Sequence, residues 1–222
     1  MTVRLAEPAS AWWADPYTEA LRSGRGPLYL RREDGWLLPL EVERWCGAPD
    51  AADATVLDRC RGPVLDIGCG PGRLVAALAG RGRQALGVDV TQEAVARAVR
   101  AGGSALCRSV FAPLPREGHW GTVLLMDGNI GIGGDPGALL RRAAQLAAPS
   151  GLLLVEVTGA GTDEDLDERV EVRVDDGRGG RGASFPWARL GPRALCAEAA
   201  ATGWSRAHTW QTEGRRFVAL RR

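Results

Sequence analysis

Between Val64 and Leu74 the chain reads VLDIGCGPGRL: an apolar run, an acid at Asp66, then Gly68, Cys69, Gly70 and Gly72. Glycines so spaced let backbone approach a ligand at dihedrals that other residues disfavour. A helix beginning after them offers unpaired N–H groups to a carboxylate or phosphate. Asp89 closes the next apolar run, and a carboxylate there can accept both hydroxyls of a ribose. Two cofactor classes compete for such a loop. A dinucleotide site requires GxGxxG, but here the spacing is GxGxG and Arg73 stands at the last position. Asp66, just ahead of the first glycine, suits a ligand that carries an ammonium group.

Further candidates lie outside the loop. Asp127 to Asn129 follow a fourth apolar run and open the glycine-rich stretch GNIGIGG, 128–134. Only two histidines exist. His119 precedes the fourth strand, at the sheet edge opposite the loop, and reads as structural. His208, in the penultimate strand, is a candidate base, as are Asp127 and, if an N-terminal helix folds over the pocket, Tyr17. Glu156 stands near the ligand edge of the fifth strand. Trp12, Trp13, Tyr17, Phe185 and Trp187 can build an apolar wall, and Arg44, with Arg31 and Arg32, can meet an acidic group. Five scattered cysteines without a CxxC pair argue against a disulfide framework or a metal site.

These residues are carried by a strand–helix alternation from 63 onward. PVLDIG, QALGVDV, ALCRSVF, GTVLLMD and GLLLVEVT read as five strands, with helices over 71–80, from Thr91 to about Gly102, and over 136–148. Near-continuous apolar strands between helices imply a parallel sheet buried on both faces. ERVEVRV and GASFPWARL form a hairpin inserted after the fifth strand, with Val170, Val172 and Val174 on one face. Residues 192–202 form a helix, and the chain ends in a hairpin turning near Glu213–Gly214. Ahead of all this, 1–62 is aromatic-rich. It holds a helix around 10–22, a hairpin in 27–40 and the start of a helix at 41–46. The expected organisation is an N-terminal cap, 1–62, on one domain, 63–222, with an insertion at 159–190.

With 222 residues, 45% hydrophobic and 25% charged, the chain suits one globular domain. All 28 basic residues are arginine, which excludes Schiff-base and P-loop lysine chemistry. A net charge of +1 provides no field for nucleic acid or an anionic membrane. The opening MTVRLAEPASAWWADP has no apolar export-signal core, and no run reaches ~18 apolar residues, so a cytoplasmic protein is expected.

The segment Val64–Gly72 resembles the first motif of class I S-adenosylmethionine-dependent methyltransferases, written (V/L)LD(I/V)GCGxG, and the element order from 63 to 222 is similar to theirs. Within that family the chain looks like an actinobacterial small-molecule branch. The resemblance implies an α/β fold: a doubly wound, Rossmann-like, seven-stranded sheet, mostly parallel with an antiparallel last strand. It also implies S-adenosylmethionine as donor and S-adenosylhomocysteine as product. Asp66, Gly68, Cys69, Gly70 and Gly72 match the loop at the methionine moiety. Asp89 matches the ribose acid, Val90 the residue on adenine, and Ser109 and Val110 the adenine edge. Ser109 departs from the family's usual Asp. Asp127 and Asn129 match the donor's methionine end. The acceptor is then a small molecule of secondary metabolism, methylated on O or N by a monomer or homodimer. Trp13, Tyr17, Arg44, Glu156, Phe185 and Trp187 are the acceptor candidates. Alternatives sharing this donor are aminocarboxypropyl transfer and cyclisation of its side chain. Methylation of nucleic acid or protein is disfavoured by charge and by the lack of an (N/D)PPY motif.

Overall fold

In a computed structural model, residues 15–158 and 164–222 are described. Among the described residues eleven strands form two sheets. The larger holds β3 (Val64–Ile67), β4 (Ala85–Asp89), β5 (Ala105–Cys107), β6 (Trp120–Leu125), β7 (Ala147–Val157), β10 (Ser205–Thr212) and β11 (Arg215–Arg221). Their order is β5-β4-β3-β6-β7-β11-β10. The five from β3 to β7 run parallel, and β11 is antiparallel to both its neighbours. The order reverses beside β3, so the loops leaving β3 and β6 open a crevice at the carboxyl edge, where α/β sheets take ligands.

Each β3 residue is buried, as a strand covered on both faces requires. Leu74 and Leu78 of α4 (Arg73–Gly80) and Val56 of α3 (Ala51–Leu57) cover one face, packing with Leu124, Leu154 and Phe217. Leu139 and Leu140 of α6 (Pro136–Leu146) and Leu195 of α7 (Pro192–Ala201) cover the other. Burying each Leu contributes about 1.5–3 kcal/mol. Between β4 and β5 runs α5 (Gln92–Arg100).

The smaller sheet has order β2-β1-β8-β9. It joins β1 (Tyr29–Arg31) and β2 (Leu37–Pro39) to β8 (Asp167–Asp175) and β9 (Phe185–Leu190). β1 pairs antiparallel with β8, Leu30 facing Val174. The N-terminal hairpin and the inserted hairpin are thus one sheet, a union of segments far apart in sequence. Leu21 of α1 (Asp15–Ser23), Val42 of α2 (Val42–Cys46), Leu30, Val172, Val174, Phe185 and Trp187 share its apolar core. Ala94 of α5 belongs to the same core, and the Arg97 guanidinium donates to the Leu21 carbonyl, seating the cap on the larger sheet.

Three element boundaries differ from the sequence reading. The third strand ends at Cys107, not Phe111; Ser109 turns the chain out of the sheet, its Oγ accepting the Phe111 N–H at 3.2 Å. β7 begins at Ala147, the alanine that ends α6, ahead of Gly151. Helix α3 was not foreseen, although Asp50 and Asp53 form a capping box over it.

Candidate functional site

At the crevice the chain forms a cleft walled by four groups of residues. From the glycine loop come Gly68, Cys69, Gly70 and Pro71; from the end of β4, Asp89 and Val90. Arg108 to Phe111 and Asp127, Asn129, Ile132 and Gly133 follow β5 and β6. The cap supplies Tyr17, Leu30, Leu40, Trp45, Phe185, Pro186 and Trp187.

Gly70 has φ +52, and a side chain added there would stand 3.8 Å from the Tyr17 hydroxyl, in the cleft. Gly68, at φ +69, is held by a neighbour: a Cβ would come within 2.6 Å of Asn129 Nδ2, which donates at 2.9 Å to the carbonyls of both Ile67 and Gly68. Asn129 therefore ties the loop to the end of β6. Gly72 is not on the cleft wall; a Cβ there would strike Ala98 of α5. It permits helix packing, which corrects the expectation that it cradles a ligand.

The Asp89 carboxylate accepts the Gly70 N–H at 3.0 Å and the Thr91 N–H at 2.8 Å, one on each oxygen. Burial raises its pKa, and the two amides pull it back. Asp66 also departs from expectation. The residue is 3% exposed and lies off the cleft wall, with the Arg73 charge acting on its carboxyl. Burial pushes it up to about 8, against the pull of Arg73. Cys69 packs its thiol against Gly87, where a Cβ would meet Sγ at 2.5 Å. Burial and then Asp89 push that thiol well above its usual value, so it is no nucleophile. Val90, Ser109 and Val110 all line the cleft, though the Ser109 hydroxyl serves its own turn.

Asp127 sits on the wall at φ +55, a left-handed backbone rare outside glycine. Its N–H donates to Glu156 at 2.8 Å. One carboxylate oxygen accepts from Arg73 Nη1 at 2.9 Å, and the other lies 2.7 Å from Arg44 Nη1. Both oxygens are engaged, so Asp127 is not placed as a free base. Arg73 grips Asp53 through Nε and Nη2 at 2.6 and 2.7 Å. Arg215 of β11 grips Glu156 at 2.8 and 2.7 Å and reaches Asp53 at 2.9 Å and Asp50 at 3.1 Å. Burial alone would raise Asp53; hydrogen bonds and charge from Arg73 and Arg215 instead hold it at about 2. Buried charges paired this way fix geometry more than they add stability.

The remaining candidates separate. Tyr17 lines the cleft, packing edge-on to Trp45. Burial and then the Asp89 charge push its phenol well above the usual value, so it keeps its proton, which corrects its reading as a base. His208 is exposed on the edge strand β10, stacked on Trp210, and lines neither this cleft nor the one beside it, so its catalytic assignment does not hold. Phe185 and Trp187 line the cleft, edge to face at 6.2 Å. Arg44 and Glu156 line an adjoining cleft, which shares Leu30, Leu40, Trp45, Asp127 and Trp187 with the first. Trp13 lies outside the described residues.

Sequence reasoning missed the charge network and Trp45. The signals were present. An Arg in the first turn behind a glycine loop must find a partner once buried, and Asp50–x–x–Asp53 carried the acids. Nothing in the local pattern of Arg215 pointed across the molecule.

Residues 44–204 match a family described as Methyltransferase domain, and the chain belongs to that family. No curated protein matches the chain. Among solved structures it is similar to an S-adenosylmethionine-dependent methyltransferase from Bacteroides fragilis in complex with S-adenosyl-L-homocysteine. The identity is 19% over 96% of this chain and 95% of that one, with a TM-score of 0.76. It is also similar to an amino pentose methyltransferase of calicheamicin biosynthesis from Micromonospora echinaspora (18%, 81% and 94%, TM-score 0.60). A third likeness is to 1,6-didemethyltoxoflavin-N1-methyltransferase from Burkholderia thailandensis (18%, 78% and 77%, TM-score 0.58). The shared fold is the Rossmann-like methyltransferase sheet expected from the sequence.

Proposed function

We propose that the protein transfers a methyl group from S-adenosylmethionine to a small organic acceptor. The observation that carries this reading is the pair of Asp89 and Gly70. The carboxylate faces the cleft with one amide on each oxygen, leaving a further lone pair on each for a ribose diol. The positive-φ loop beside it leaves space that a Cβ at Gly70 would fill.

When bound, the donor supplies an electrophilic methyl group on a sulfonium. Asp89 and Val90 would hold its ribose and adenine, with Val110 and Phe111 closing the adenine side. Gly68, Cys69 and Gly70 would present backbone to the methionine portion. The Tyr17 hydroxyl stands over Gly70, and Asn129 keeps the loop in place. Asp127, held by Arg44 and Arg73, fixes the cleft wall beside the loop. Leu30, Leu40, Trp45, Phe185 and Trp187 would receive the acceptor and exclude water. With Asp127 engaged and Tyr17 protonated, the rate comes from in-line positioning of a nucleophilic acceptor. The neighbours described as acting on an amino pentose and on didemethyltoxoflavin support a small acceptor and a place in secondary metabolism.

Titration calorimetry with S-adenosylhomocysteine and mass analysis of the spent donor test this. Binding near stoichiometry and S-adenosylhomocysteine as product are expected. Methylthioadenosine instead would indicate aminocarboxypropyl transfer or cyclisation, and no binding would remove the donor site.

A further inference from the structure

The glycine-rich run 128–134 follows β6 beside the donor loop, and its glycines serve different ends. Gly128, Gly133 and Gly134 adopt left-handed backbone at φ +81, +80 and +70, which glycine reaches without strain. Gly131 closes a turn of 3-10 helix, Asn129–Gly131, and its φ lies outside that region, so no dihedral calls for glycine there. Space does. Gly131 is buried, and a Cβ there would stand 2.3 Å from the Ala188 carbonyl oxygen, 2.5 Å from Trp187 Cε2 and 2.7 Å from Trp187 Nε1. A Cβ at Gly134 would stand 2.6 Å from Pro186 Cβ. Strand β9 therefore crosses the run at 186–188, directly against its backbone.

β9 is the outer strand of the smaller sheet, and its Leu190 carbonyl accepts the Thr158 N–H at 3.2 Å, just past β7. Trp187 is the β9 residue that lines both clefts, whereas Gly131 lines neither. At the other end of the same turn, Asn129 holds the Ile67 and Gly68 carbonyls. One turn thus meets the donor loop with its first residue and the cap's tryptophan with its last.

We infer that Gly131 is a positioning residue for the methyl acceptor, acting through Trp187. Its missing side chain lets the indole lie against the turn, and the place of that indole sets the shape of the cleft wall. Bond rotation cannot absorb a methyl group at 131, because the atoms it meets are backbone and a rigid ring. β9 must move off the turn and carry Trp187 with it, since close-packed interiors transmit strain. The donor loop keeps its two bonds from Asn129. Calling the ligand the acceptor rests on the methyl-transfer reading; the dependence of Trp187 on Gly131 does not.

The test compares the wild type with Gly131→Ala. Indole N–H NMR spectra follow Trp187, whose signal is the one missing from Trp187→Phe. Calorimetry gives the affinity for S-adenosylhomocysteine and, with and without it, for 2-naphthol, a neutral probe of the apolar wall. In Gly131→Ala the Trp187 signal should shift and 2-naphthol affinity should change by about fivefold or more, while S-adenosylhomocysteine affinity stays within about threefold. A lower melting temperature with both affinities unchanged would make Gly131 merely structural and overturn the inference. So would an unmoved Trp187 signal, a matched loss of both ligands, or a wild type that binds no 2-naphthol. Should Gly131→Ala not fold, Gly131→Ala with Trp187→Ala removes two of the three crowded atoms and should fold; failure there would show that the indole is not what glycine accommodates. A wild type that binds 2-naphthol but not S-adenosylhomocysteine would overturn the methyl-transfer reading and leave the seat of Trp187 standing.

Discussion

Two aspartates lie around one glycine loop, and their surroundings separate them. Asp89 is satisfied by amides and faces the cleft, so it is the group a ribose would use. Asp89→Ala should weaken S-adenosylhomocysteine at least tenfold by calorimetry, since each hydrogen bond to a charged group contributes about 1.5–3 kcal/mol. Asp66 is buried off the wall and titrates at about 8. Below ~4 its carboxyl is neutral in both the folded and the unfolded chain. Between there and about 8 the unfolded chain ionises first, so folding stability falls as pH rises. Asp66→Asn keeps the size and removes the titration. Its melting temperature should exceed the wild type's by several degrees near pH 8, and the gain should vanish near pH 4. A constant difference across that range would show that the carboxyl does not titrate in the fold.

At the scale of elements, the glycine loop divides its labour between ligand and packing. Gly70 opens toward the cleft; Gly72 lets α4 lie against Ala98 of α5. Gly70→Val should therefore abolish S-adenosylhomocysteine binding with a modest loss of stability. Gly72→Val should lower stability by about 1–3 kcal/mol or more through overpacking, seen in urea unfolding. If Gly72→Val stays as stable as the wild type, α5 does not press on the loop. The strand–helix alternation was legible because apolar runs of that length between helices have few other packings. The end of β5 was not, because ALCRSVF is apolar enough to continue, and only the Ser109 turn stops it.

Across the whole molecule, Arg215 joins the C-terminal hairpin to the floor of the cleft. It holds Glu156, which holds the Asp127 N–H, and Asp53, which holds Arg73. Arg215→Gln strips four acids, Asp50, Asp53, Asp127 and Glu156, of a shared cation. Unfolding free energy should fall by about 3–5 kcal/mol, the usual cost of breaking a buried pair. Glu156→Gln in the same chain should recover part of it, a coupling that a double-mutant cycle detects. Additive effects would show that the pair acts independently. The cap depends on the same long range: β1 meets β8 across more than a hundred residues, so neither hairpin's position was visible from its own sequence.

What the sequence determined by itself was local and periodic: the GxGxG loop, the acid that closes the second strand, the parallel sheet, and the hairpins at 27–40, 168–190 and 204–222. Backbone dihedrals and side-chain alternation act over a few residues, so spacing alone expresses them. The tertiary structure decided which groups face the cleft and what charge state they hold. His208 was set on an outer edge, Gly72 under a helix, and Asp127 between two arginines. Burial and charge pairing are sums over neighbours in space, and those neighbours come from α2, α3, β7 and β11, which only folding brings together.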